Sequence, residues 1–110
     1  MTNDQLSGGR LLCADVLTVA VEPDDASAAL RTASTTLSTG GVEVGLWEAG
    51  PGADVDTEVD EVFLVLSGAG TVTFADGSAI ALRPGVVVRL LAGDRTSWVI
   101  TERLRKLYVV

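Results

Sequence analysis

Short runs of alternating apolar and polar residues, each closed by glycine, proline or aspartate, fill the chain from Val42 onward. Residues 42–49 (VEVGLWEA) put Val42, Val44, Leu46 and Glu48 on one face and Glu43, Gly45, Trp47 and Ala49 on the other. That is the period-two pattern of a strand. Residues 59–66 are apolar on both faces after Glu61, which suits a strand packed on both sides or lining a closed barrel. Residues 71–75 and 78–83 flank Asp76-Gly77, a hairpin signal. Residues 86–91, 96–101 and 105–110 read as further strands, with Pro84-Gly85 and Gly93-Asp94 as turns. Ser67, Gly68 and Gly70 are expected to close the strand that begins at residue 59.

Upstream the pattern is weaker. Residues 1–9 are polar and expected to be loose. Residues 11–21 predict one or two short strands, and Glu22-Pro23-Asp24-Asp25 predicts a turn. Residues 26–33 (ASAALRTA) fit either a short helix capped by Asp24 or Asp25 or an irregular loop. Residues 35–38 suit a strand edge, and Gly40-Gly41 turns the chain. Short strands with frequent turns and almost no helix mean an antiparallel sandwich or barrel. No repeat or linker divides the chain, so residues 1–110 are read as one domain.

Composition narrows the function classes. Hydrophobic residues make up 47%, which excludes a disordered chain. The net charge of −7 argues against nucleic acid and against anionic membrane surfaces as partners. Cys13 is the only cysteine, so no internal disulfide forms, and its apolar run Leu11-Leu12-Cys13-Ala14 suits a buried thiol. No apolar run approaches a membrane span, and MTNDQLSGG lacks a signal-peptide pattern, so the expected location is the cytoplasm. There is no histidine, which removes the commonest metal ligand and general base.

Glu61, six residues and then Gly68 form the second half of the first cupin motif, G-x5-H-x-H-x3-4-E-x6-G. The second motif, G-x5-P-x-G-x2-H-x3-N, overlays Gly85 and Gly93, with Leu91 for its proline, Thr96 for its histidine and Ile100 for its asparagine. With GLWEAGPG at 45–52, DEVFLVLSG at 60–68, LRPG at 82–85 and WVITERLRKLYV at 98–109, the chain resembles small cupins related to ureidoglycine aminohydrolase and the ethanolamine-utilisation cupin. The resemblance covers roughly residues 40–110 and implies an all-β double-stranded β-helix, a jelly-roll-like barrel. Metal-bearing members place two histidines and a glutamate in the barrel mouth. Here the spacing is kept and the histidines are absent, so no metal and no other cofactor is expected. An oxygen-only site from Asp56, Glu58 and Glu61 for a hard cation is the alternative to a solvated acidic loop.

Alternation places the candidate site. If Thr96 sits at the old ligand position, Thr96 and Trp98 face the lumen together, and Glu61, Phe63 and Val65 do likewise. One carboxylate, one hydroxyl, an indole and apolar walls are the makings of a small-molecule site. Glu61 is the candidate acid–base residue, provided it is not tied to a basic partner, for which Arg89 in VVVRLL is the candidate. Trp47 either lines the pocket or packs the core. Lys106 and Tyr108 share a face of the last strand, as an anion-binding pair or as a solvated edge charge beside a rim aromatic. Three readings follow: a metal-independent isomerase, cyclase or lyase using Glu61; a non-catalytic ligand-binding or sensing module; and a metal enzyme with oxygen ligands. A homodimer is expected, paired through sheet edges covered by the apolar N-terminal strand.

Overall fold

Two long antiparallel strands carry the structure, a computed structural model that describes residues 9–24 and 29–110. They are β5 (Glu61–Phe74) and β8 (Arg95–Val109). The other strands are β1 (Glu22–Pro23), β2 (Ala33–Ser38), β3 (Val44–Ala49), β4 (Gly52–Thr57), β6 (Ala79–Leu82) and β7 (Val87–Leu90). All pairings are antiparallel, and no helix occurs among the described residues. The fold is an all-β double-stranded β-helix.

Each long strand pairs with different neighbours along its two halves, within one eight-stranded sheet. The first half of β5 pairs with β7 and its second half with β6. The first half of β8 pairs with β4 and its second half with β3, which continues to β2 and β1. The β5–β8 register shifts between Val65 and Ser67, Ser67 and Ala69, and Ala69 and Gly70. Irregularities of this kind bend a sheet and let it close. Gly68 sits there at φ 90°, and a Cβ would lie 2.2 Å from the carbonyl oxygen of Arg103. The motif glycine therefore does not end a strand. It lets β5 bend against β8 and continue.

The inward faces fill the barrel. Phe63, Val65 and Val72 of β5, Val88 and Leu90 of β7, and Trp98, Ile100 and Leu104 of β8 are each at most 5% exposed. Replacing Phe63 by alanine would empty the centre of this cluster, a change that typically costs about 3–5 kcal/mol. The Asp76-Gly77 hairpin forms as expected. Gly77 takes φ 88°, and Asp76 Oδ1 accepts from the amide and hydroxyl of Ser78 at 2.9 and 2.6 Å.

Several expectations for the upstream half are corrected. Residues 11–21 form turns and irregular chain, with Leu17 N donating to Asp15 Oδ1 at 2.9 Å. The carbonyls of Val16 and Val19 are taken by the guanidinium of Arg105, not by a neighbouring strand. Cys13 is half-buried. Glu22–Pro23, expected in a turn, is a two-residue strand on β2. Residues 29–30 turn and Ala33 already belongs to β2, so no helix runs to residue 33; residues 25–28 lie outside the described residues, as do residues 1–8 of the expected loose start. The acidic stretch expected as a loop is in part the strand β4, exposed at all six positions.

Candidate functional site

Register builds the site. Lys106 stands on β8 between Trp47 of β3 and Val65 of β5. Its face is the inner one, so the side chain enters the barrel and is 7% exposed. Nζ donates to Glu61 Oε2 at 2.6 Å, and the Glu61 side chain is 13% exposed. The ammonium also lies 4.3, 4.7 and 5.2 Å from the ring centroids of Phe63, Trp47 and Trp98. Trp98 is tilted against both other rings, with centroids 5.8 Å apart. A carboxylate and three ring faces thus surround the ammonium.

A second polar group forms one wall. Glu58 lies in the link between β4 and β5, which is fastened to the β7–β8 turn by Glu58 N to Asp94 O at 2.8 Å and Gly93 N to Glu58 O at 2.9 Å. Glu58 Oε2 thereby accepts from Thr96 Oγ1 at 2.6 Å and from Trp98 Nε1 at 3.1 Å. Thr96 is 3% and Trp98 5% exposed. Tyr108 closes the other side, its hydroxyl donating to Glu43 Oε2 at 3.0 Å. Burial, and then the bonded Glu43, raise the phenol above its usual value. Gly45 makes room for this ring: a Cβ there would lie 2.4 Å from Tyr108 Cζ.

These groups surround a cavity of about 410 Å³. Glu61, Lys106, Trp47, Trp98 and Tyr108 line it, with Glu58, Asp54 and Asp56 towards β4. Phe63 lies beneath the ammonium, and Thr96 is reached through Glu58 and Trp98. Arg89 is not brought in. It is exposed, opposite Val62 on the outer face, so the partner of Glu61 is Lys106 and not Arg89. Lys106 is likewise not the solvated edge charge that one reading allowed. Glu61 is compensated by an ammonium and is not left charged among apolar neighbours.

The donors present do not suit a metal. Among the described residues no three His, Cys, Asp or Glu side chains gather into a set that could hold one. Thr96, at the expected ligand position, donates to Glu58, and Glu61 faces a resident cation. The role of Lys106 is what the pattern of the chain understated. The signal was there: a cation inside an apolar strand needs an inward acid, and alternation makes Glu61 that acid. Glu43 carried no comparable signal, because its bond to Tyr108 depends on how β3 and β8 lie side by side.

Comparison with known proteins gives a consistent answer. A family model described as the EutQ-like cupin domain matches residues 36–108. No curated protein matches significantly in sequence. Among solved structures, the EutQ protein of Clostridium difficile is 19% identical, with 83% of this chain and 79% of that chain covered and a TM-score of 0.69. A putative ethanolamine utilization protein Q from Salmonella typhimurium is 23% identical over 72% and 68% of the two chains, with a TM-score of 0.63. The ectoine synthase of P. lautus is 16% identical over 79% and 67%, with a TM-score of 0.68. At these identities the likeness is one of fold.

Proposed function

The chain belongs to the EutQ-like cupin domain family, and from that premise we propose that its lumen binds a small organic molecule on which Glu61 acts as an acid–base group. The observation that carries this is the cavity itself. It has about 410 Å³ of space, aromatic walls, and a buried ion pair whose members both border the space. Ligand sites take this form, a mostly apolar concavity with a few placed polar groups. Glu61, hydrogen-bonded to Lys106 at the edge of the cavity, is placed to exchange a proton with a bound molecule, and the reaction classes that turn on such an exchange are isomerisation, cyclisation and elimination. Ectoine synthase, one of the structural neighbours, supports the view that such a barrel can host a synthase. The lack of histidine and the ammonium in the lumen support chemistry without a transition metal. The single cysteine suits a reducing, cytoplasmic setting.

The test is a small-molecule library screened by the indole N–H resonances of Trp47 and Trp98, the only two tryptophans, both of which line the cavity. Saturable shifts of both signals are expected from some compounds. A library that moves neither overturns the lumen as a ligand site. With a turned-over ligand in hand, Glu61→Gln should lower turnover by roughly 10²–10⁴. Binding without any turnover would favour the sensing reading.

We also propose a homodimer. The N-terminal segment is not the pairing strand expected, but the outer face leaves Val62, Val87 and Val109 exposed at 38, 64 and 38%, across β7, β5 and β8. Sedimentation should give twice the 11.4 kDa chain mass, and Val62→Glu should reduce it to the monomer. A single-chain mass for the unaltered protein at micromolar concentration overturns this.

A further inference from the structure

We infer that the lumen is shaped for a zwitterion, a small molecule whose carboxylate meets Lys106 and whose amine meets the acids of β4. This rests on the reading of the lumen as a ligand site and names the class of ligand it takes.

The argument starts from the charges that border the cavity. Lys106 is the only cation among its lining residues, against Asp54, Asp56, Glu58 and Glu61. Glu61 is matched by Lys106. Glu58 receives only neutral donors, the Thr96 hydroxyl and the Trp98 indole. Asp54 and Asp56 stand opposite Trp98 and Thr96 in the β4–β8 register, so their side chains share the inward face. Their Oδ1 atoms accept only the amides of Val55 and Thr57, each at 2.8 Å, and neither aspartate forms an ion pair among the described residues.

The two ends of the cavity therefore differ: Lys106 is balanced by Glu61 at one, and Asp54 and Asp56 face no cation at the other among the described residues. At one end an ammonium with three donors spends one on Glu61, and its ring neighbours accept no ordinary hydrogen bond. Donors are left for a carboxylate. At the other end two uncompensated carboxylates lie on an exposed edge strand, where an arriving amine can reach them. A plain anion would take the spare donors of Lys106 and leave Asp54 and Asp56 uncompensated. A plain cation would satisfy the aspartates and leave the spare donors of Lys106 unused. A molecule carrying both charges uses both ends, and Trp47 and Trp98 take its apolar skeleton.

The experiment titrates the unaltered protein with three probes on one ring, para-aminomethylbenzoate, benzoate and benzylamine, following the two indole resonances. The zwitterion should bind at least about tenfold more tightly than either singly charged probe. In Asp54→Asn/Asp56→Asn, altered only on the exposed strand, benzoate should overtake the zwitterion. In Lys106→Met, benzylamine should overtake it. Should the lysine variant fail to fold, the aspartate variant and the probe series on the unaltered protein still decide the matter. Equal or tighter binding of benzoate or benzylamine to the unaltered protein overturns the inference, as does a probe order that the aspartate change leaves intact. If the library yields ligands while the three probes bind without preference or not at all, this inference alone falls. If neither library nor probes move the indoles, the lumen reading falls with it.

Discussion

Arg105 and Lys106 are neighbours on β8 and face opposite sides of the same sheet. Each is buried, and each is paired with a glutamate 2.5–2.6 Å away. What surrounds them differs. Arg105 points outward, where each of its three guanidinium nitrogens donates, to Glu48 and to the carbonyls of Val16 and Val19. Glu48 is shared with Arg103 at 2.7 Å. None of these three side chains lines the cavity that Lys106 borders, and the cluster acts as a clamp holding the N-terminal segment over the sheet. Lys106 points inward with a single carboxylate partner and three rings, and it borders a cavity. The same kind of pair thus serves stability where every nitrogen is bonded to the protein and ligand chemistry where a cation with spare donors borders a cavity. Guanidinium and ammonium suit these jobs in that order, the first as a fixed fork and the second as a point charge.

The comparison is most easily broken from the outer side. Arg105→Ala removes the fork and leaves Glu48 only its more exposed partner, Arg103, whose side chain is 43% exposed. A loss of about 3–5 kcal/mol is expected, read by thermal or urea unfolding. Limited proteolysis should then cut within residues 11–21 first. Acid should reveal the same clamp. Burial pushes the Glu48 carboxyl up, but Arg103 and Arg105 outweigh it and hold the group below its usual value. A depressed folded value contributes stability above the ordinary carboxylate range, lost as pH falls through the folded value. Glu48→Gln should therefore be less stable at neutral pH and flatter in its acid limb. An Arg105→Ala protein as stable as the parent would show the clamp to be ornamental.

The inner pair should cost less to break. Glu61→Gln keeps the shape, leaves Lys106 its three rings, and opens only to a cavity that admits water. About 1–3 kcal/mol is expected, below the value for Arg105→Ala. If the inner substitution proves the more damaging, Glu61–Lys106 is the structural pair and the assignment of roles is reversed.

How much of this was legible in the chain follows from the range of each interaction. Alternation and turn residues act locally, so β3, β6, β7 and the Asp76-Gly77 hairpin could be read directly, whereas β4 read as a loop and the single strand β8 as two. The inward set Glu61, Phe63, Thr96 and Trp98 followed from the same periodicity. The continuity of β5 through Ser67-Gly68-Ala69-Gly70 could not, because glycine reads as a break until its close approach to Arg103 is known. The pairing of Glu61 with Lys106 spans 45 residues and depends on which strand closes the barrel, so a nearer arginine in sequence looked equally apt. Residues 11–21 misled because their apolar content joins no ladder; the carbonyls of Val16 and Val19 go to Arg105.

The smallest effect sharpens the inner side of the comparison and comes from Tyr108, the only tyrosine, whose titration can be followed alone by its ultraviolet absorbance. Burial raises its value first, and the bonded Glu43 adds to this, with Glu61 contributing charge from across the cavity. Above the usual phenol value of 10.0 the unfolded chain would release this proton while the folded chain keeps it. The folded state then binds more protons, so stability falls as pH rises in that window. The tyrosinate midpoint should lie above 10.0 in the folded protein and move down in Glu43→Gln, with a loss of roughly 0.5–1.5 kcal/mol for the one hydrogen bond. A midpoint at or below 10.0 would mean that Tyr108 faces bulk water, and the cavity wall it forms beside Gly45 would have to be redrawn.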